Sequence, residues 1–210
     1  MDFQGWPAEA LEFYEGLVAD NSRAYWQANK HVYERDVRAP MAALLADLEP
    51  EFGPGRIYRP YRDVRFSRDK SPYKDHIAAT FERGGYVQLS ARGLLAGNGM
   101  YVMDAAQLDR YRRAVADDVA GERLRAVLDQ VASHDIEVGG HEVLKTAPRG
   151  YPRDHPRIEL LRYKGLVAWR QWPVEPWLGT PEARDRVVEF LRASAPLNDW
   201  LATHVGWPET

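Results

Sequence analysis

The sequence contains no cysteine among its 210 residues. This absence excludes disulfide bonds, thiolate nucleophiles and metal sites built from cysteine ligands. The first residues also lack the basic segment followed by an apolar one that marks a secretory signal peptide. Both absences fit a reducing compartment, so we expect a cytoplasmic protein.

Other missing features exclude further classes. No run of 18 apolar residues occurs, so we expect no membrane-spanning helix and no membrane partner. The net charge of −3 makes nucleic acid an unfavourable partner, because domains that bind it are usually strongly basic. The six histidines show neither H-x-H nor H-E-x-x-H spacing, and no phosphate-binding glycine loop occurs in its required context. We therefore expect no metal site, and the residues identify neither a cofactor nor a protein partner.

What is present is the composition of a globular chain. Hydrophobic residues make up 45% of the sequence and charged residues 28%. A chain of this length buries roughly 70% of the surface that it exposes when unfolded. No internal repeat or low-complexity linker divides the sequence. These features predict a single globular domain over residues 1–210.

The hydrophobic period changes twice along the chain. Residues 1–50 show helical spacing, with Pro40 predicted to cause a kink or to separate two abutting helices. Residues 56–103 alternate with period two around glycine turns, which predicts an antiparallel β-meander. Residues 104–210 return to helical spacing with short strands. This order indicates an α+β fold whose sheet packs against the flanking N- and C-terminal helices. Strands are predicted at 61–66, 77–81, 86–91, 94–102 and 166–169, with a short hairpin within 136–146.

Capping residues mark several helix starts. Asn21 or Ser22 suits the N-cap of the second helix, and Asp104 with Gln107 has the spacing of a capping box. Asp154, just before His155-Pro156, suits the N-cap of a short helix that begins at Pro156.

The most informative stretch is RDVRFSRDKSPYK, residues 62–74. It holds five basic side chains and two acidic ones, so its local charge is +3 on a chain of net charge −3. Arginine suits phosphates and carboxylates because its planar group donates two parallel hydrogen bonds, and lysine adds a mobile point charge. Such a segment is either an anion site or a paired structural network.

The first hypothesis is the binding of an anionic small molecule that bears a phosphate or carboxylate, with or without catalysis. If a reaction occurs, Asp63 or His155 is the candidate proton carrier, since each is a titratable group beside cations. The residues predicted to bind the anion are Arg62, Arg65 and Lys70, with Tyr73, Lys74 and Arg149 at the rim.

The second hypothesis is a non-enzymatic structural or protein-interaction domain. Its arginines would form an internal salt-bridge network, with Arg62 and Arg65 buried against Asp63 and Asp69. The sequence leaves both hypotheses open.

A second basic cluster occupies residues 145–164 and contains Arg149, Arg153, Arg157 and Arg162. If this cluster folds over the first one, the two would hold an anion from both sides.

The chain resembles the family known as Domain of Unknown Function 2461. The resemblance extends over nearly the whole chain, and the block at 62–74 is its most specific part. It implies an α+β domain that stands alone in microbial proteins. The family has no assigned activity, so the resemblance implies no catalytic residues. The other matching residues are Phe13, Leu17, Asn21, Trp26, Asn29, Lys30, Tyr33, Pro148–Tyr151, Asp154–Pro156 and Leu160–Leu161.

Overall fold

The computed structural model describes residues 2–65 and 68–207. Within these ranges helices and strands follow one another in the predicted order, and the α+β class is confirmed. The helices are α1 (Ala8–Ala19), α2 (Arg23–Val32), α3 (Ala39–Phe52), α4 (Ala105–Ala116), α5 (Asp118–Ala132), α6 (Ile158–Leu161) and α7 (Glu182–His204). The strands are β1 (Gly55–Ile57), β2 (His76–Phe81), β3 (Tyr86–Ser90), β4 (Gly93–Met100), β5 (Glu137–Gly139) and β6 (Leu166–Trp172).

The six strands form one antiparallel sheet in the order β1-β2-β3-β4-β6-β5. Strands β2 to β4 confirm three strands of the predicted meander, with Ile77 opposite Leu89 in the β2–β3 pair, whereas β1 lies before the first predicted strand. The turn between β2 and β3 contains Gly84 and Gly85, both with positive φ, which glycine adopts without steric cost. Strand β6 then lies between β4 and β5.

Two strand predictions are wrong. The segment predicted at 61–66 forms only an isolated bridge between Tyr61 and Tyr73, and Phe66 lies outside the described residues. Pro60 and Pro72 flank this bridge, and neither has the N–H group that a longer ladder would need. The hairpin predicted within 136–146 is also absent from the described chain, because β5 pairs with β6 instead.

The described residues divide into two compact units. The first comprises the residues up to Ala96 together with Gln171–Glu189, and the second comprises Gly97–Arg170 together with the residues from Phe190 onward. Strands β4 and β6 and helix α7 each contribute residues to both units. The prediction of a single domain remains a prediction.

The first unit contains helices α1 to α3 and the first strands of the sheet. Ser22 caps α2 by accepting a hydrogen bond from the backbone N–H of Tyr25 at 3.1 Å, as predicted. The chain passes from α2 into α3 through a π-helical segment at Tyr33–Arg38, where a kink or a break at Pro40 was predicted. In a regular α-helix the Pro40 ring would clash with the carbonyl oxygen of Asp36, four residues earlier. The wider π-helical turn just before Pro40 gives the ring room, so the chain remains helical.

The second unit contains α4, α5 and the C-terminal part of α7. The predicted capping box at Asp104 and Gln107 is present at the start of α4. Asn98 of β4 is buried and donates a hydrogen bond to Ser194 of α7 at 2.9 Å. Asn198, one turn further along α7, accepts the backbone N–H of Gly99 at 3.0 Å. These hydrogen bonds hold α7 against the sheet within this unit.

No helix in the described part of the chain combines the length and the apolar character that crossing a bilayer requires.

Candidate functional site

The basic segment forms a loop that is closed at its base. The backbone N–H of Arg62 donates to the carbonyl of Pro72 at 2.9 Å, and that of Lys74 donates to the carbonyl of Pro60 at 2.8 Å. These two hydrogen bonds flank the bridge between Tyr61 and Tyr73. We call residues 58–65 and 68–74 the basic loop.

Helix α2 and the residue before its cap hold the base of the basic loop. The Asn21 side chain donates to the Tyr73 carbonyl at 3.1 Å and accepts the Tyr73 N–H at 3.0 Å, so it pairs with the loop backbone like a short strand. The Trp26 ring stacks on the Tyr73 ring with centroids 4.5 Å apart and planes 9° from parallel. The structure therefore places the Tyr73 side chain in the core beneath the loop, where burial raises its pKa.

Two ion pairs lie within the basic loop, and they join the residues that the network hypothesis named. Arg65 contacts Asp63 through two nitrogens, with Nη2 2.7 Å from Oδ2 and Nε 3.0 Å from Oδ1. Arg62 pairs with Asp69. The Arg65 side chain is 77% exposed and that of Arg62 is 34% exposed, so neither is buried. Exposed pairs of this kind contribute little to stability, because solvent screens them.

Hydrogen bonds hold both aspartates of the basic loop in their ionised form. The side chain and the backbone N–H of Arg65 lower the pKa of Asp63. The hydroxyl and the backbone N–H of Ser71, together with Arg62, lower the pKa of Asp69 to about 2. A carboxylate with a lowered pKa is a weak base at neutral pH, so this environment does not favour Asp63 as a proton carrier.

The basic loop contains further cations, namely Lys70, Lys74 and Arg59. The Lys70 ammonium donates to the Val64 carbonyl at 2.9 Å. The Lys74 nitrogen lies 5.3 Å from the centre of the Tyr58 ring. Burial, and secondarily the charge of nearby Arg59, lower the pKa of Lys74. Among the described residues no carboxylate lies within salt-bridge distance of Lys70, Lys74 or Arg59.

The structure groups the nominated residues by unit. The basic loop brings together those nominated between 62 and 74, all in the first unit. Arg149 and His155 lie in the second unit, where Arg149 is an exposed turn residue. The prediction that both clusters contact one anion remains a prediction.

Arg157 in the second cluster is a buried structural arginine. Its side chain is 3% exposed and donates to the carbonyls of Val115 at 2.6 Å and Ala116 at 3.0 Å, at the end of α4. It also pairs with Glu122 at 2.7 Å. A Cβ at Gly121 would lie 2.4 Å from the Arg157 Nε, so glycine provides the space for this contact.

The predicted capping role of Asp154 is wrong. Helix α6 begins at Ile158, its N-cap is Arg157, and no side chain caps it. The Nδ1 atom of His155 accepts the backbone N–H of Arg157 at 3.1 Å, and this bond forms the turn that precedes the helix.

Sequence reasoning did not nominate the two exposed tyrosines of the basic loop. Tyr58 is 39% exposed and Tyr61 is 46% exposed, and Arg59 lies between them in sequence. The detectable signal is an arginine and a proline between two tyrosines, whereas the sequence predicts Tyr61 as the first residue of a strand.

Two further findings lie outside the basic loop. Across residues 2–65 and 68–207, no group of three or more histidine, aspartate or glutamate side chains is arranged to hold a metal ion. A surface cavity of about 660 Å³ in the second unit is lined by residues of α4 and of the C-terminal end of α7, including Arg110 and His204. It contains none of the nominated residues.

Comparison with known proteins identifies a family but no activity. The family model described as "Conserved hypothetical protein (DUF2461)" matches residues 9–200. No curated protein matches the sequence. A solved structure of a conserved hypothetical protein from Pyrococcus furiosus is similar to this chain at 12% identity, covering 82% of this chain and 98% of the other, with a TM-score of 0.37. That similarity is too low to support an inference about fold or function.

Proposed function

We propose that this chain, which belongs to the DUF2461 family of conserved hypothetical proteins, binds an anionic small molecule at its basic loop. Arg59 and Lys74 would contact the anion at the base of the loop, and Lys70 is a further cation of the loop that could contribute. The proposal rests on one observation, namely that these three cations have no carboxylate partner among the described residues.

The environment of Lys74 supports the proposal energetically. Its ammonium is half-buried beside the Tyr58 ring and close to the charge of Arg59, so both desolvation and like-charge repulsion act against its charged form. A phosphate or carboxylate placed between the two cations would offset both effects. Arg59 is exposed, so such a ligand can reach it from solvent.

The anchoring of the loop also supports a binding role. The hydrogen bonds from Asn21 and the stacking of Trp26 hold the loop base before any ligand arrives. Preorganised groups lose little conformational entropy on binding, so more of the contact energy appears as affinity.

The test is a thermal-shift screen at low ionic strength with inorganic phosphate, sugar phosphates, dicarboxylates and nucleotides. A ligand at 100 times its dissociation constant stabilises the folded state by about 2.7 kcal/mol, which is measurable as a rise in Tm. We expect Arg59→Gln and Lys74→Gln to lose this rise. Arg113→Gln is the matched control, because it removes the same charge from an exposed pair with Asp109 in the other unit.

A screen in which no anion raises Tm would contradict the proposal, as would loop variants that respond like the control. The pairs Arg65–Asp63 and Arg62–Asp69 favour the alternative, an interaction domain with a structural network of arginines. That alternative predicts that Arg62→Gln lowers Tm without ligand and that no member of the panel binds.

A further inference from the structure

We infer that the anionic ligand also carries a planar ring, as a nucleoside monophosphate does, and that this ring stacks on Tyr61 while the phosphate contacts Lys74 and Arg59. This inference rests on the proposed anion site and specifies the chemical class of its ligand.

Tyr61 provides a solvent-facing ring with a rigid support. Nearly half of its surface is exposed, and its centroid lies 5.5 Å from that of Tyr73 and 6.0 Å from that of Trp26. The bridge to Tyr73 fixes the Tyr61 backbone. An exposed aromatic ring that is held in this way offers a flat contact surface at little cost in conformational entropy.

The cations are close to Tyr61 along the backbone. Lys74 follows Tyr73, the bridge partner of Tyr61, and its backbone N–H bonds to Pro60, the residue before Tyr61. The backbone of Tyr58 is bound to the sheet through its N–H, which donates to the Ala78 carbonyl at 2.9 Å. Aromatic residues and cations therefore alternate along the loop base, and the Lys74 ammonium lies 5.3 Å from the centre of the Tyr58 ring.

This arrangement suits a ligand with a ring better than a simple sugar phosphate. Stacking of a base on an aromatic side chain adds at least about fivefold in affinity and does not depend strongly on which base is present. An exposed ring face contributes little to the binding of phosphate alone, because phosphate has no ring to stack on it. A long nucleic acid is disfavoured, because the net charge of −3 repels a polyanion beyond the reach of one loop.

The experiment is isothermal titration calorimetry of the full chain at low ionic strength. The probes are adenosine 5′-monophosphate, phenyl phosphate, ribose 5-phosphate, inorganic phosphate and a single-stranded oligonucleotide. We expect adenosine 5′-monophosphate to bind at least about fivefold more tightly than ribose 5-phosphate. The phenyl phosphate arm distinguishes a general need for an aromatic phosphate from a need for a nucleobase.

Variants of Tyr61 test whether its ring causes the preference for adenosine 5′-monophosphate. Tyr61→Leu is expected to lower the affinity for adenosine 5′-monophosphate until it equals the affinity for ribose 5-phosphate. The affinity for ribose 5-phosphate itself should not change. Tyr61→Phe keeps the ring and is expected to keep the preference, which separates loss of stacking from loss of folding. Tyr101→Leu is the matched control, since Tyr101 is 59% exposed and lies in the other unit.

The outcomes separate the two proposals. If ribose 5-phosphate binds as tightly as adenosine 5′-monophosphate, the ring is not recognised and the inference is overturned, while the anion site stands. If no phosphate compound binds, the proposed function itself fails. If the oligonucleotide binds more tightly than the mononucleotide, the small-molecule inference is overturned in favour of a single-stranded nucleic acid.

Discussion

At the scale of single residues, Asp69 links the basic loop to a measurable dependence on pH. Its pKa lies at about 2, below the ordinary value of 3.8, because Ser71 and Arg62 donate hydrogen bonds to the ionised form. A carboxyl group with a lowered pKa in the folded state stabilises that state above the ordinary pKa. This stability is lost as the pH falls from 3.8 towards about 2.

We therefore predict that Asp69→Asn removes part of the acid sensitivity of the protein. Between about pH 4 and pH 2, Tm of the parent chain should fall by more than Tm of the variant. The effect should be small, because the pair with Arg62 is exposed to solvent. The measurement is Tm against pH, with Asp129→Asn on an exposed part of α5 as the control. Parallel curves for parent and Asp69→Asn would disprove the prediction.

The residue scale also shows which pairings could be foreseen. Arg62 pairs with Asp69 and Arg65 pairs with Asp63. Both aspartates are close to these arginines in the sequence, so they could be predicted as partners from the sequence alone. Burial could not be foreseen in the same way. Arg65 is exposed, whereas Arg157 is buried because α4 and α5 surround it.

At the scale of secondary-structure elements, Arg157 joins the end of α4 to the start of α5. It donates to carbonyls in the last turn of α4, which have no partner within the helix, and to Asp118 in the first turn of α5. A positive charge at a helix C-terminus also interacts favourably with the helix dipole. Both effects stabilise the corner between the two helices.

We predict that Arg157→Leu destabilises the fold by about 3 kcal/mol, because buried carbonyls lose their donors. Arg157→Lys should recover only part of this loss, since one ammonium cannot reproduce the forked geometry. Urea denaturation gives the free energy of unfolding directly. Arg153→Leu, at an exposed position of the same segment, is the control. A loss for Arg157→Leu no larger than for the control would refute the structural role.

The start of α6 shows how packing can outweigh a local capping signal. Asp154 precedes a proline and suits an N-cap, yet α6 begins at Ile158 without a side-chain cap. Arg157, just before the helix, is held instead by the carbonyl of Val115 at the end of α4.

At the scale of the whole molecule, the question is whether the two compact units unfold together. Strands β4 and β6 and helix α7 each belong partly to both units, so neither unit has a complete set of elements without the other. We predict a single calorimetric transition, with a ratio of calorimetric to van't Hoff enthalpy of about 1. Two resolved transitions in differential scanning calorimetry would contradict the single domain that the sequence predicts.

The sequence by itself determined the α+β class, the meander, the capping of α2 and α4 and the position of the charged segment. Each of these features depends on residues a few positions apart. The hydrophobic period, the spacing of capping residues and the local charge were therefore sufficient to predict them. The tertiary structure alone decided that Tyr73 is buried and Tyr61 exposed, that Lys74 lies on Tyr58, and that Arg157 is structural. These depend on contacts such as Asn21 with Tyr73, 52 residues apart, and Arg157 with Val115, 42 residues apart. Burial and partners at such separations follow from how the elements pack, which no local pattern encodes.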